Sequence, residues 1–200
     1  MKILSRWFAK WYDFFMNPLE KRKFIKIRQE LLSKASGRVL EIGSGTGINF
    51  PLYKGVDKVV AIEPSPFMQE RSRIKHSQAT VPIKVVLASA EQLPFESDTF
   101  DTVVATLVFC TIPNPEKAIE EMRRVCKPNG KILLFEHVKM ENRFLAVLQD
   151  WVTPAWKKIC DGCCLNRETL TLLRTNGVSV LNVENYYSGL FVNIEAENQK

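Results

Sequence analysis

Several features are missing from this 200-residue sequence, and each absence excludes a class of protein. No uninterrupted apolar run approaches the roughly 20 residues that a membrane-spanning helix needs. The N-terminus lacks the clean apolar core and the small-residue cleavage site of a signal peptide. Five cysteines, an odd number, favour reduced thiols over a disulfide framework. We therefore expect a cytoplasmic protein and, since neither repeats nor linkers occur, a single domain over residues 1–200.

The chain beyond residue 28 has no net charge, because its 20 basic and 20 acidic residues cancel. The first 28 residues contain eight bases and two acids, and so hold the whole net charge of +6. A nucleic-acid enzyme more often spreads its bases over one face of its body. We therefore expect no nucleic acid among the partners.

The first 15 residues have an amphipathic helical pattern with an aromatic face and a basic face. Three roles fit this helix: a lid over an active site, an interfacial helix on an anionic membrane, or a helix packed on the domain. We favour a lid that also makes peripheral membrane contact through residues 1–28. Its apolar positions are Leu4, Trp7, Phe8, Trp11, Phe14 and Phe15.

From residue 38 onward, short apolar strands alternate with helical segments, which predicts a parallel sheet with helices on both faces. After a helical insertion, two final strands are joined by a turn at Ser188 and Gly189, and such a short connection makes them antiparallel. The predicted strands are 39–42, 58–63, 83–87, 101–109, 131–138, 178–186 and 190–195.

A glycine-rich turn, VLEIGSGTG, follows the first predicted strand and has glycine at positions 43, 45 and 47. Such a turn lets a ligand approach the main chain at the carboxyl end of the strand. Twenty positions after Gly43, Glu63 can accept both hydroxyls of an adenosine ribose. The dinucleotide pattern G-x-G-x-x-G would place its third glycine at Ile48, so a cofactor with a ribose but no pyrophosphate fits better.

With four further motifs in order, the sequence resembles the class I S-adenosylmethionine (SAM) dependent methyltransferases. These motifs are AIEPS (61–65), ASAEQLPF (88–95), FDTVVAT (100–106) and RVCKPNG (124–130). The resemblance implies a Rossmann-like, doubly wound α/β fold with seven strands in the order 3-2-1-4-5-7-6, strand 7 antiparallel. It divides the chain into an N-terminal helical cap (1–36), a SAM-binding core (37–138), a helical insertion between strands 5 and 6 (139–177) and a C-terminal hairpin (178–200).

The resemblance also implies which residues bind SAM. The glycine turn, with Glu41, would hold the methionine part, and Glu63 would hold the ribose. Ser89 stands where relatives often have an aspartate that accepts from the adenine amino group, and a hydroxyl accepts less strongly. The full cofactor set is Glu41, Gly43, Ser44, Gly45, Gly47, Glu63, Pro64, Ser65, Ser89, Ala90, Glu91, Thr106 and Leu107.

The acceptor is a small, rather apolar molecule in this interpretation, and a thiol is favoured. A thiol is partly ionised at neutral pH and needs only modest help from a base, which suits a sequence without an obvious base. The second half of the chain resembles the animal thiol S-methyltransferases, which are membrane-associated and methylate alkyl thiols. Related bacterial proteins are phospholipid or quinone methyltransferases, so these acceptors stay open. The candidate catalytic residues are His137 and Asp161.

Two other functions were weighed against an enzyme of this kind. A non-catalytic SAM-binding module would keep the cofactor motifs, and no sequence feature excludes it. A nicotinamide oxidoreductase is disfavoured by the glycine spacing.

The segment CDGCCLNRE (160–168) places three of the five cysteines within five residues. We expect no metal there, because Cys160 and Cys163 supply only two ligands at suitable spacing. No thioredoxin-like strand precedes the pair, so a redox role is also disfavoured. We interpret the segment as a turn that places Asp161 near the acceptor, with Asn166 as the N-cap of the following helix.

Overall fold

The computed structural model describes residues 23–160 and 162–200. The amphipathic helix predicted for residues 1–15 and the candidate catalytic Asp161 lie outside the described residues. The helices described are α1 (Ile25–Ser33), α2 (Pro66–His76), α3 (Pro115–Val125), α4 (Arg143–Ile159) and α5 (Thr169–Thr175). The strands are β1 (Arg38–Ile42), β2 (Lys58–Ile62), β3 (Ile83–Val86), β4 (Phe100–Thr106), β5 (Cys126–His137), β6 (Ser179–Tyr186) and β7 (Phe191–Glu197).

The strands form one sheet in the order β3-β2-β1-β4-β5-β7-β6. Strands β1 to β5 pair in parallel, and β7 runs antiparallel to both β5 and β6. The predicted fold class and strand order are therefore confirmed. The order reverses between β1 and β4, and ligands of open α/β sheets bind beyond the carboxyl ends of the strands at such a switch point.

Each face of the sheet has its own apolar core. On one face, the predicted stripe of α3 is confirmed, since Ala118, Ile119, Met122 and Val125 are all buried against the sheet. On the other face, α1 contributes a core that includes Leu31 and Leu32. Together the two cores hold the parallel strands between helices, because both faces of a parallel sheet must be covered.

Several predicted boundaries differ from the structure: β5 begins at Cys126 rather than at 131, and two further differences concern the end of β4 and the N-cap of α5. Strand β4 ends at Thr106 rather than at 109, because Leu107 adopts a left-handed backbone with φ of 53° that cannot continue a strand. Helix α5 has Glu168 at its N-cap, so the expectation that Asn166 caps it is wrong. Instead, the Asn166 amide donates to the Asp150 carboxylate at 2.8 Å and ties the insertion loop to α4.

Helix α4 carries an exposed apolar stripe. Trp151 is 81% exposed and Phe144 is 78% exposed, and Val147, Leu148 and Ile159 are also exposed. No helix in residues 23–160 and 162–200 is long and apolar enough to cross a membrane.

Candidate active site

A cleft opens at the carboxyl ends of β1, β2 and β4, at the switch point of the sheet. It contains about 390 Å³ of empty space, part of which is open to solvent. Its lining combines four of the predicted cofactor residues with the loop that follows β4. The lining residues are Ile42, Gly43, Ile62, Pro64, Ser89, Ala90, Val108, Thr111, Ile112 and Pro113.

The glycine turn reaches this cleft through Gly43 and requires two of its glycines for packing. A Cβ on Gly43 would lie 2.3 Å from Val108 Cγ2, and one on Gly47 would lie 2.7 Å from the ring of Phe50. Gly45 differs, because no atom lies within 4 Å of the position that its Cβ would take. Its backbone therefore borders open space that a ligand can occupy.

Glu63 connects the glycine turn to the start of α2. Its Oε2 accepts from the Gly45 N–H at 2.8 Å, and its Oε1 accepts from the Ser65 N–H at 2.9 Å. Ser65 is also the predicted N-cap of α2, and its side chain accepts from the Met68 N–H at 3.4 Å. An ionised carboxylate offers about four acceptor positions and can therefore hold several donors at once.

A buried polar network lies next to the glycine turn, and two of its members were missed in the sequence. Arg28 of α1 donates from Nη1 to Thr106 Oγ1 at 2.6 Å and to Asn49 Oδ1 at 3.1 Å. Asn49 Nδ2 donates in turn to Glu41 Oε1 at 2.8 Å and to Thr106 Oγ1 at 2.9 Å. The network joins the ends of β1 and β4 to α1. Arg28 could not be distinguished in the sequence from the exposed basic residue on the same helix. Asn49 could not be predicted because a single amide side chain is part of no recognisable motif.

Glu41 has an unusually high pKa within this network. Burial raises its pKa from 4.5 to about 7, although the Asn49 hydrogen bond and the Arg28 charge oppose the increase. Among the described residues, the Ser44 hydroxyl is buried without a hydrogen-bond partner, whereas the Glu41 carboxylate also interacts with the Tyr53 hydroxyl, which lowers the pKa of Glu41. Buried polar groups are rarely left unpaired, so the Ser44 hydroxyl indicates where a polar ligand group binds.

The loop after β4 is held from beneath by a buried glutamate. Glu136 Oε1 accepts from the N–H groups of Val108 and Phe109 at 2.9 and 3.1 Å. Burial raises the pKa of this carboxyl to about 7, and the two backbone donors partly oppose that rise. The left-handed Leu107 directs its side chain toward the core that contains α1, so Val108 rather than Leu107 lines the cleft. Backbone strain of this kind is typical of functional sites.

Residues of the predicted motif ASAEQLPF (88–95) have two different roles: some line the cleft and one holds the motif in place. Ser89 and Ala90 line the cleft. Glu91 instead accepts from the Asn114 N–H at 2.7 Å and so fastens the motif to the N-cap of α3. The Ser89 hydroxyl donates to the same carboxylate at 3.3 Å.

A cluster of two cysteines and a histidine joins the loop after β4, the end of β5 and the insertion that follows α4. His137 Nε2 is 3.3 Å from Cys163 Sγ, and both atoms lie within 4.8 Å of Cys110 Sγ. A hydrogen bond from Cys110, supported by His137, lowers the pKa of Cys163 to about 5. Burial alone would lower the pKa of His137, but its contact with Cys163 outweighs this and raises it. Sequence analysis singled out His137 and Cys163 separately, but it did not bring Cys110 to them.

Comparisons with known proteins agree with this geometry. Residues 40–134 match a family model described as a methyltransferase domain. The human thiol S-methyltransferase TMT1B is 33% identical over 181 residues, which cover 84% of this chain and 74% of the relative. The chain belongs to the SAM-dependent methyltransferases.

Two further comparisons place this methyltransferase within its family. A phosphatidylethanolamine N-methyltransferase from Cereibacter sphaeroides is 33% identical over 153 residues, covering 74% of this chain and 75% of the relative. A SAM-dependent methyltransferase structure from Thermotoga maritima superposes with a TM-score of 0.71, covering 98% of each chain at 23% identity, and shows the shared fold.

SAM is the cofactor of this enzyme, and the described residues fit it. The open space beside Gly45 admits a ligand to the backbone. The unpartnered Ser44 hydroxyl provides an acceptor within the glycine turn. These features suit a ligand with a cationic ammonium group better than a pyrophosphate, which would need backbone donors instead.

Proposed function

We propose that this methyltransferase acts on a small apolar thiol. The observation that carries the proposal is the His137 imidazole, whose Nε2 lies 3.3 Å from Cys163 Sγ and so already interacts with a sulfur atom of the protein. The similarity to the human thiol S-methyltransferase TMT1B over 84% of this chain supports the same acceptor. An imidazole beside a sulfur favours the thiolate, which is the nucleophilic form of a thiol.

The cofactor residues divide the work of binding SAM. Glu41 and Ser44 accept from the ammonium of the methionine part, and Glu63 accepts from the ribose hydroxyls. Ser89 and Ala90 border the adenine. SAM supplies a methyl group on a cationic sulfur that is already a good leaving group, so the protein has to align the nucleophile and exclude water.

The acceptor residues have a different task. His137 stabilises the acceptor thiolate, while the apolar side chains of Val108 and Ile112 exclude water from it. Bound SAM would supply the methyl group, its sulfonium sulfur would keep the electron pair of the broken carbon–sulfur bond, and the acceptor thiolate would be the nucleophile. Asp161, which lies outside the described residues, keeps the acceptor-side role proposed from the sequence.

An acceptor panel tests the proposal. The full chain is incubated with labelled SAM and with matched alkyl thiols, amines, phenols and phospholipids, and methylated products are measured by mass spectrometry. We expect transfer to alkyl thiols with a turnover at least tenfold above that for any amine. Transfer to amines alone would overturn the thiol acceptor, and binding of SAM without transfer to any acceptor would indicate a non-catalytic module.

A phospholipid amine is the second candidate acceptor, and the stripe on α4 favours it. Trp151 and Phe144 are exposed on a helix with Arg143 at its start and Lys157 and Lys158 near its end. An apolar stripe flanked by bases is typical of helices that lie at an anionic membrane surface. The similarity to the Cereibacter sphaeroides enzyme points to the same acceptor. Peripheral membrane contact through residues 1–28, and the lid role of that segment, are part of this second proposal.

Vesicles of defined composition distinguish the two candidates. Phosphatidylethanolamine vesicles with and without anionic lipid are supplied as the only acceptor, and binding is measured by sedimentation. Trp151→Ser is compared with Lys117→Ser, a change of an exposed residue on α3. If the phospholipid amine is the acceptor, phosphatidylethanolamine should be methylated, and the Trp151 variant should sediment less with vesicles while the Lys117 variant sediments like the wild type. Binding without lipid methylation would leave the thiol as acceptor and the membrane as a docking surface.

A further inference from the structure

Three metal-binding side chains come together from three distant segments of the chain. Cys110 follows β4, His137 ends β5 and Cys163 lies in the insertion between α4 and α5. Their ligand atoms all lie within 4.8 Å of one another. This set is not the pair of Cys160 and Cys163 that sequence spacing suggested, since Cys110 from the loop after β4 and His137 from the end of β5 take the place of Cys160.

We propose that Cys110 Sγ, Cys163 Sγ and His137 Nε2 bind one Zn²⁺ ion, with the fourth coordination position open to the acceptor. In a tetrahedral zinc site the bond lengths place two sulfurs about 3.8 Å apart, and a sulfur and a nitrogen about 3.6 Å apart. The observed spacing of 3.3 Å between Nε2 and Cys163 Sγ needs only a small outward shift. Thiolate and imidazole ligands select zinc over magnesium or calcium, which prefer oxygen.

The backbone assembles this site before any metal is bound. The Cys164 N–H donates to the Cys110 carbonyl at 2.8 Å and so fixes the insertion loop against the loop after β4. The Cys163 N–H donates to the Cys160 carbonyl at 2.9 Å. Cys110 is buried, whereas Cys163 is half-buried, so one side of the cluster stays accessible. Two protein thiolates, one imidazole and an accessible side match a catalytic zinc site rather than a closed structural one.

The second ring nitrogen of His137 sets the affinity that we expect for zinc. His137 Nδ1 has no hydrogen-bond partner among the described residues. Metal-binding histidines usually donate that N–H to an oxygen, and loss of the partner weakens binding by about 10- to 100-fold. We therefore expect zinc to be removed from this protein by chelators that leave closed four-ligand zinc sites loaded.

The role of the metal rests on the proposed thiol acceptor. The acceptor thiol binds zinc at the open position as a thiolate and releases its proton to solvent. The thiolate sulfur then forms its bond to the methyl carbon, the methyl-sulfonium bond breaks, and zinc keeps its charge throughout. In the zinc-bound protein His137 is a ligand, so it stabilises the acceptor thiolate through the metal rather than by direct contact.

Metal binding is tested without reference to activity. The full chain is prepared free of metal and titrated with zinc chloride and, separately, with cobalt chloride, whose thiolate complexes absorb by charge transfer. We expect one ion per chain, with loss of at least 100-fold in affinity in Cys110→Ser, Cys163→Ser and His137→Gln. Cys160→Ser and Cys164→Ser are matched controls that should bind like the wild type. Thermal stabilisation by S-adenosylhomocysteine verifies that each variant is folded.

The same cobalt form separates this proposal from the proposed function. Ethanethiol should intensify the charge-transfer band, whereas ethylamine, an acceptor of similar size, should not. One bound ion without any response to the thiol would keep the zinc site and overturn its role with a thiol acceptor. Failure to bind zinc, equal loss of binding in the Cys160 control, or a Cys110–Cys163 disulfide in the freshly reduced protein would overturn the zinc site.

Discussion

The cofactor side of the cleft and the side that we propose for the acceptor are built in different ways. The cofactor side is made of backbone: glycines 43, 45 and 47 adopt left-handed φ values, and Glu63 accepts from two N–H groups. The acceptor side is made of side chains from distant segments, with Cys110, His137 and Cys163 in contact range. A site made of backbone fits a ligand of one shape, because the backbone changes little while the fold is kept. A site made of side chains can change its ligand by substitution, without a change of fold. This difference explains how one family retains SAM while its relatives carry the names of a thiol and a phospholipid methyltransferase.

The largest effect is expected where the two sides meet, at Gly43. Gly43→Ala places a Cβ 2.3 Å from Val108 and forces alanine into φ of 64°. We expect the affinity for S-adenosylhomocysteine to fall by at least 100-fold in isothermal titration. Gly55→Ala is the matched control, since its φ is 67° and its Cβ would meet nothing within 4 Å. The left-handed backbone at residue 55 should lower the unfolding free energy of this variant by about 1–2 kcal/mol. Its affinity for S-adenosylhomocysteine should stay unchanged. Equal binding loss in both variants would remove the special role of the Gly43 contact.

The next effect concerns the buried network that supports the cofactor side. Arg28→Met removes the donor to Thr106 and Asn49 and leaves the buried Glu41 without its nearby cation. We expect a loss of about 3 kcal/mol in unfolding free energy by urea denaturation, the usual cost of breaking a buried ionic network. Lys26→Met, an exposed change on the same helix, should stay within about 0.5 kcal/mol of the wild type. A loss of similar size in both would contradict the network.

A pH dependence of stability is expected from Glu41. Its pKa in the folded protein is about 7, above its ordinary value of 4.5, so the folded state binds the proton more tightly than the unfolded state. The stability contribution of this group therefore falls as pH rises from about 4.5 to 7, by about 3 kcal/mol in total. Glu41→Gln removes that dependence, so its stability relative to the wild type should rise across this window and stay constant above it. Urea denaturation at several pH values measures this difference, and a constant difference throughout would contradict the raised pKa.

A change at the acceptor side should affect turnover and leave the cofactor untouched. His137→Gln is expected to lower kcat by about 100-fold, a typical loss for a group that handles the reacting proton or nucleophile. Titration with S-adenosylhomocysteine should give an unchanged affinity, because Gly45 and Glu63 remain in place. A parallel loss of cofactor affinity would show that the two sides are not separable.

The smallest effects are expected from two of the cysteines. Cys160→Ser and Cys164→Ser should keep kcat/KM within about twofold of the wild type, whereas Asp161→Ala should lower it clearly in the same acceptor assay. A large loss in either serine variant with no loss for Asp161 would restore a direct role for those cysteines.

The parts of the site that the sequence predicted are local in the chain. The strand, the glycine turn and the first residues after β2 are contiguous motifs, and parallel pairing brings the carboxyl ends of β1 and β2 together. Gly43 and Glu63 therefore meet the same cleft once the fold class is known. Helix α3 was predictable for a similar reason, since its apolar stripe and its Asn114 cap lie within one short segment.

The sequence by itself determined the α/β class and a cofactor with a ribose, because strand alternation, glycine spacing and an acid at the end of β2 are local patterns, and its resemblance to the SAM-dependent methyltransferases supplied the identity of that cofactor. Only the tertiary structure brought Arg28 to Thr106, which lies 78 positions away, and Cys110 to His137 and Cys163. It also decided that Val108 rather than Leu107 faces the cleft, through a left-handed residue that no propensity predicts. The physical reason is the same in each case: packing of distant segments, not periodicity within one segment, fixes where those side chains meet.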